Sequence, residues 1–210
     1  PDLKDLFFMQ VRGFEWQGER AWASCSGYTG EDGYEVSVSE DQAQALAQAL
    51  LQDERVQWIG LGARDSLRLE AGLCLYGHDL NEDTDPVSAS LMWAISPSRR
   101  PDGERAGGYI GAEAIARFKA SAPDMQRVLF TVDGRAPVRE GAELVDEAGD
   151  IVGRVCSGGF GPTVAKPVVM AYVQRATIQS EAAVFAALRG RQIGLQRQKG
   201  GFVPARYCRA

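Results

Sequence analysis

Arg127-Val128-Leu129-Phe130-Thr131-Val132 begins a part of the chain where the apolar pattern changes. Further short apolar segments follow at 151–156, 168–173, 183–188 and 192–195. Turn residues separate them, as in Glu147-Ala148-Gly149-Asp150 and Arg189-Gly190. Many short strands with turns between them predict a small antiparallel barrel or sandwich.

Upstream of this stretch the period is helical. Ala112 to Ala120 predicts a short helix closed by Ala122-Pro123, which places a boundary near residue 122. Ser98 to Gly111 is rich in Arg, Gly and Pro and reads as an exposed connection, and Asn81 to Pro86 as a polar loop. Ala63 through Ala71 is built of strong helix formers, and Gly72 supplies the usual stop. Val56 to Ile59 reads as a strand. Ser39-Glu40-Asp41-Gln42 has the pattern of a capping box ahead of a helix carrying Ala43, Leu46, Ala47, Leu50 and Leu51. Tyr34 to Val38 alternates as a half-buried strand does, with Tyr34, Val36 and Val38 on one face and Glu35 and Ser37 on the other. Leu6 to Val11 reads as a strand at the start. The expected class is α+β, with an α/β portion over 1–122 and a small antiparallel β-barrel over 123–210.

Composition excludes several functions. With 45% hydrophobic and 24% charged residues, the 210-residue chain falls in the ordinary globular range. Its net charge of −5 argues against a nucleic-acid binder, which needs a basic surface to neutralise phosphates. Cys25, Cys74, Cys156 and Cys208 are widely spaced, and His78 is the one histidine, so no zinc-site spacing exists. The cysteines read as reduced thiols. No apolar run reaches the roughly 18 residues of a membrane helix. The chain opens at Pro1 rather than a methionine, which implies processing or truncation.

The stretch Gly27-Tyr28-Thr29-Gly30-Glu31-Asp32-Gly33 lacks dinucleotide spacing and leads into a strand instead of a helix. Taken alone it is a glycine turn, Glu35 a solvated carboxylate, Arg64 a surface cation and His78 a structural side chain.

The motifs change that reading. The run from Gly27 to Glu35, and the contiguous stretch Gly62-Ala63-Arg64-Asp65-Ser66-Leu67-Arg68-Leu69-Glu70-Ala71-Gly72-Leu73-Cys74-Leu75-Tyr76-Gly77, resemble the signatures of the glycine-cleavage T-protein family. Pro86 to Trp93, Gly153 to Pro162, and Phe202-Val203-Pro204 followed by Tyr207 fit the same family in order. The resemblance implies a tetrahydrofolate-dependent aminomethyltransferase. Such an enzyme moves the one-carbon unit from the aminomethyl-lipoyl arm of H-protein to tetrahydrofolate and releases ammonia. It implies folate contacts from Glu35, Arg64 and Tyr207, with Tyr28 and Trp93 lining the pocket. A carboxylate can accept two adjacent pterin N–H groups, and a guanidinium offers a fixed planar cation.

The chain departs from the family pattern in three ways. His78 stands where the family has Asn, and Gly161 where it has Ser. The family's functional aspartate falls in an N-terminal segment that this chain lacks, roughly two-fifths of a full-length member. No catalytic residue is therefore assigned. The resemblance further implies that the chain alone is inactive, that it self-associates through bared apolar surface, and that its compartment is the bacterial cytoplasm or the mitochondrial matrix of a eukaryote. Alternatives are the folate domain of a related demethylase or dimethylglycine oxidase, and a non-catalytic folate-binding scaffold. The first group diverges through the helix stretch that is intact here. The scaffold's K-G-C-Y-x-G-Q motif is absent, although Lys199-Gly200-Gly201 is present.

Overall fold

A computed structural model describes residues 2–210. Its C-terminal part is a closed barrel of six antiparallel strands: β4 (Met125–Val132), β5 (Glu143–Val145), β6 (Ile151–Gly161), β7 (Lys166–Gln174), β8 (Val184–Leu188) and β9 (Arg191–Gln198). The order around it is β4-β7-β6-β5-β8-β9, and β4 closes the ring by pairing with both β7 and β9. Alternation along β4 sends Val128, Phe130 and Val132 into the barrel, where they meet Val138, Leu144, Val155, Val169 and Val173. Leu129 turns outward and packs with Val168, Met170 and Leu69. A bulge in β6 between Val155 and Ser157 adds one residue. That offset directs Cys156 to this outer cluster.

The outer cluster is the seat of α2 (Leu61–Glu70). Its end is a Schellman motif: the Leu73 N–H donates to the Arg68 carbonyl at 2.9 Å and the Gly72 N–H to the Leu69 carbonyl at 3.0 Å. Gly72 has φ +76°, and a Cβ there would lie 3.1 Å from Gly201 Cα and 3.2 Å from Leu129 Cδ1. Gly72→Ala is expected to cost at least about 2 kcal/mol, combining left-handed strain with backbone crowding. Urea denaturation reads this directly, and a loss under about 0.5 kcal/mol would contradict the crowding argument.

The N-terminal part holds a three-stranded antiparallel sheet, β1 (Val11–Trp16), β2 (Glu19–Ser24) and β3 (Glu35–Ser37), in that order. The strand predicted over Leu6 to Val11 is a correction: β1 starts where it was to end, because turns at 4–5 and 8–9 interrupt the earlier residues. Met9 takes φ +71° there. Gln17 and Gly18, at φ 48° and 83°, make the tight turn between β1 and β2.

α1 (Glu40–Leu50) starts at Ser39, but no capping box forms. The Ser39 hydroxyl donates to Glu19 Oε2 at 2.6 Å and ties the helix start to β2. No residue of α1 is buried, and β3 is exposed throughout, so the alternation at 34–38 marks no half-buried face. The strand predicted over Val56 to Ile59 is also corrected. The segment joins no sheet, and Trp58 and Ile59 are 72% and 63% exposed. It is not hydrogen-bonded into any ladder among the described residues. α3 (Ala112–Ser121) follows Gly111 at φ 84° and ends at Ala122 at φ 50°.

Candidate functional site

The loop 26–35 gathers most of the candidate residues. Glu35 opens β3, and the Ser26 hydroxyl donates to its Oε2. Its other oxygen has no protein partner among the described residues, and the side chain is exposed. Tyr28 reaches across to donate its hydroxyl to the Cys74 carbonyl, just past the Schellman turn of α2. Burial pushes its phenol pKa up, with the Arg68 and Arg64 guanidinium groups opposing. Arg64 lies over the Tyr28 ring, its Cζ 4.4 Å from the centroid. This cation–π contact fixes the guanidinium while leaving its N–H groups available.

Tyr207 comes to the same loop from the other end of the chain. A strap after β9 crosses the end of α2, where the N–H groups of Phe202 and Val203 donate to the Glu70 carbonyl at 2.8 and 3.1 Å. The Arg206 N–H then donates to the Gly30 carbonyl at 2.8 Å, and the Cys208 N–H to Asp32 Oδ1 at 3.3 Å. Between them, the Tyr207 ring stacks on Phe8 with centroids 3.9 Å apart. Trp93 is not drawn into this arrangement by any contact; it sits on a 3-10 turn and is 70% exposed. Arg64 also lines a polar pocket with Asp65, His78, Arg139, Glu140 and Ser157, which neither Glu35 nor Tyr207 touches.

A buried polar frame holds α2 in place, and sequence reasoning missed it. Arg68 is 2% exposed and Asp79 1%. The Arg68 guanidinium donates to Asp79 Oδ2 at 2.6 Å, to Asp65 Oδ1 at 2.7 Å, to Ser157 Oγ at 2.9 Å and to the Leu73 carbonyl at 3.3 Å. Glu70, equally buried, accepts from the Thr163 N–H and hydroxyl at 2.8 Å each and from the Val164 N–H at 3.0 Å. One helix end therefore clamps the β6–β7 turn with a side chain and the strap with its main chain. The signal for Arg68 was its four-residue spacing from Arg64. Nothing in the sequence said which of the two would be covered. The glycine at 161 has a geometric reason, because a Cβ there would lie 2.8 Å from Glu70 Oε1. His78 pairs on the surface with Glu140 at 2.6 Å. Burial and the Asp79 carboxylate push the Cys156 thiol far up, and burial does the same to the Tyr172 phenol, so both stay protonated. All four cysteines are free.

A glycine loop bearing Tyr28 and Glu35, joined by a helix and a strap to a closed antiparallel barrel, defines an α+β chain. Residues 2–99 match the model of the GCVT N-terminal domain and residues 126–203 that of the glycine cleavage T-protein C-terminal barrel domain. Mitochondrial aminomethyltransferase from Pisum sativum is 41% identical over 208 residues, covering 98% of this chain and 50% of the relative. The probable mitochondrial aminomethyltransferase of Schizosaccharomyces pombe is 39% identical over 206 residues, covering 98% of this chain and 52% of the relative. The crystal structure of glycine cleavage system aminomethyltransferase T from Bartonella henselae superposes with a TM-score of 0.88 at 44% identity. It is matched over 98% of this chain and 55% of that one. This chain belongs to the glycine cleavage T-protein family, and it spans about half the length of the curated relatives it matches.

Proposed function

We propose that the chain carries the tetrahydrofolate-contacting part of an aminomethyltransferase of the glycine cleavage system. The reaction is transfer of the one-carbon unit from aminomethyl-lipoyl H-protein to tetrahydrofolate, with release of ammonia and a reduced lipoyl arm. The observation that carries this reading is the loop 26–35, onto which α2 brings Arg64 through Tyr28 and the strap brings Tyr207. The free oxygen of Glu35 suits a pterin N–H pair, Arg64 suits a carbonyl or carboxylate of the folate, and Tyr207 offers a ring face. Tyr28 positions Arg64. The functional division falls near residue 122, with the folate-contacting portion before it and the barrel after it. The plant and yeast relatives are named mitochondrial, and the proposed compartment is the mitochondrial matrix for a eukaryotic protein and the cytoplasm for a bacterial one.

The reading is tested by calorimetry in a polypeptide of the relatives' full length that contains this chain. Glu35→Ala and Arg64→Ala are each expected to weaken tetrahydrofolate binding by about 2–3 kcal/mol, the scale of a lost charge-assisted hydrogen bond. Unchanged affinity in both variants would remove the assignment.

The exposed apolar side chains Val56, Trp58, Ile59 and Leu61 add an expectation for the chain by itself. A contiguous apolar surface tends to be covered by association. Sedimentation should show the 210-residue chain as a dimer or larger at micromolar concentration; a strict monomer would contradict this.

A further inference from the structure

Two of the four free cysteines, far apart in sequence, meet at one carboxylate, Cys25 through its thiol and Cys208 through its main-chain N–H. Cys25 follows β2 directly and is 1% exposed. Its Sγ–H donates to Asp32 Oδ1 at 3.7 Å, and the same oxygen accepts the Cys208 N–H at 3.3 Å. Consecutive amides hold the two main chains: the Phe8 N–H donates to the Cys208 carbonyl and the Met9 N–H to the Cys25 carbonyl, each at 2.8 Å. These contacts keep Cys25 Sγ within roughly 7 Å of the Cys208 nitrogen, and a disulfide requires the strap to shift until the two Cα atoms stand about 4.4–6.8 Å apart. Cys208 belongs to no strand or helix and is partly exposed. Its main-chain bonds at this point are to a turn and to one side chain, so that shift breaks no ladder.

We propose that Cys25 and Cys208 form a redox-responsive pair that closes to a disulfide, tying the strap that carries Tyr207 to the end of β2. The oxidant is a small disulfide such as oxidised glutathione. The Cys208 thiolate attacks one of its sulfurs, forming a mixed disulfide and releasing one glutathione thiolate. The Cys25 thiol loses its proton to solvent and attacks Cys208 Sγ, the bond from Cys208 Sγ to glutathione breaks, and the second glutathione leaves as a thiolate that takes up a proton from solvent. Two protein thiols are oxidised by two electrons and one glutathione disulfide is reduced. The order follows exposure, because of these two cysteines Cys208 is the one open to an incoming disulfide. Burial, with Asp32 beside it, pushes the Cys25 thiol up, which suits it to the second step within the protein and not to the first. Reduction by a dithiol restores the open pair.

The experiment exposes the purified chain to an excess of oxidised glutathione, quenches it in acid, and digests it with trypsin without reduction. The expected product joins the peptide 21–55 to the tripeptide 207–209. Two of the four thiols should disappear, and the thermal midpoint should rise by several degrees, returning on treatment with dithiothreitol. Cys208→Ser should abolish the linked peptide and leave Cys25 unmodified. Glutathione remaining on Cys208 with Cys25 free, a link involving Cys74 or Cys156 instead, or no oxidation at all would each overturn the proposal. None of these readouts involves folate, so the outcome is independent of the functional reading above.

Discussion

The 210-residue chain alone should form methylene-tetrahydrofolate from aminomethylated H-protein at least about a hundredfold more slowly than a full-length relative, a barrier difference of about 2.7 kcal/mol. Transfer needs the folate and the aminomethyl donor held together in near-attack geometry, which can supply several kcal/mol. It also needs a polar group at the reacting amines, and the chain spans only about half the length of the relatives it matches. Glu35 is exposed, and among the described residues its side chain is held only by the Ser26 hydroxyl. Water at an open site raises the local dielectric and weakens the charge-assisted contact it would make. Turnover within about tenfold of a full-length control, only about 1.4 kcal/mol in barrier, would show that this half of the relatives' length suffices and that the mechanism is misread.

Arg68→Leu should destabilise the chain by about 3–5 kcal/mol, the usual cost of removing one member of a buried ion pair. Asp79 is left with its charge in the interior. Its Oδ2 loses the 2.6 Å guanidinium contact and keeps only the Leu75 N–H, and its Oδ1 already lacks a hydrogen-bond partner. Ser157 on β6 loses its donor as well, so the joint between helix and barrel loosens. The double change Arg68→Leu with Asp79→Leu should be less damaging than Arg68→Leu alone, because no buried charge then remains unpaired. Chemical denaturation of wild type and the two variants decides it. A loss below about 1 kcal/mol for Arg68→Leu would mean that the pair is solvated in solution.

The barrel was largely legible in the sequence because its strands are self-contained. Val128, Phe130 and Val132 find their covering residues within the same seventy or so positions, so local alternation reports the true environment. β5 escaped notice because it is three residues long, with only Leu144 and Val145 to mark it. The N-terminal part was less legible for a different physical reason. Val56 to Ile59 carries a strand composition, but a strand is defined by its neighbour, and no described residue pairs with it. β1 and β2 were missed although Gln17-Gly18 is a usable hairpin signal. In the candidate site, the motifs pointed to Glu35, Arg64 and Tyr207 as residue types. They could not show that Phe8 stacks on Tyr207, or that Arg68 is the covered arginine of α2, because both facts depend on contacts distant in sequence.

The strap sets a timetable for synthesis. The bond from Cys208 to Asp32 spans 176 positions, and Phe8 waits longer still for its stacking partner Tyr207. At about 5–20 residues per second the ribosome takes roughly ten seconds or more to add that interval. Throughout it, the loop that is to bear Glu35 has been made without the segment that fixes it. The barrel strands, whose partners lie close in sequence, can pair meanwhile. The nascent chain therefore passes through a stage with a nearly finished C-terminal body and an unsecured N-terminal sheet, and that stage is where a chaperone or protease would find it.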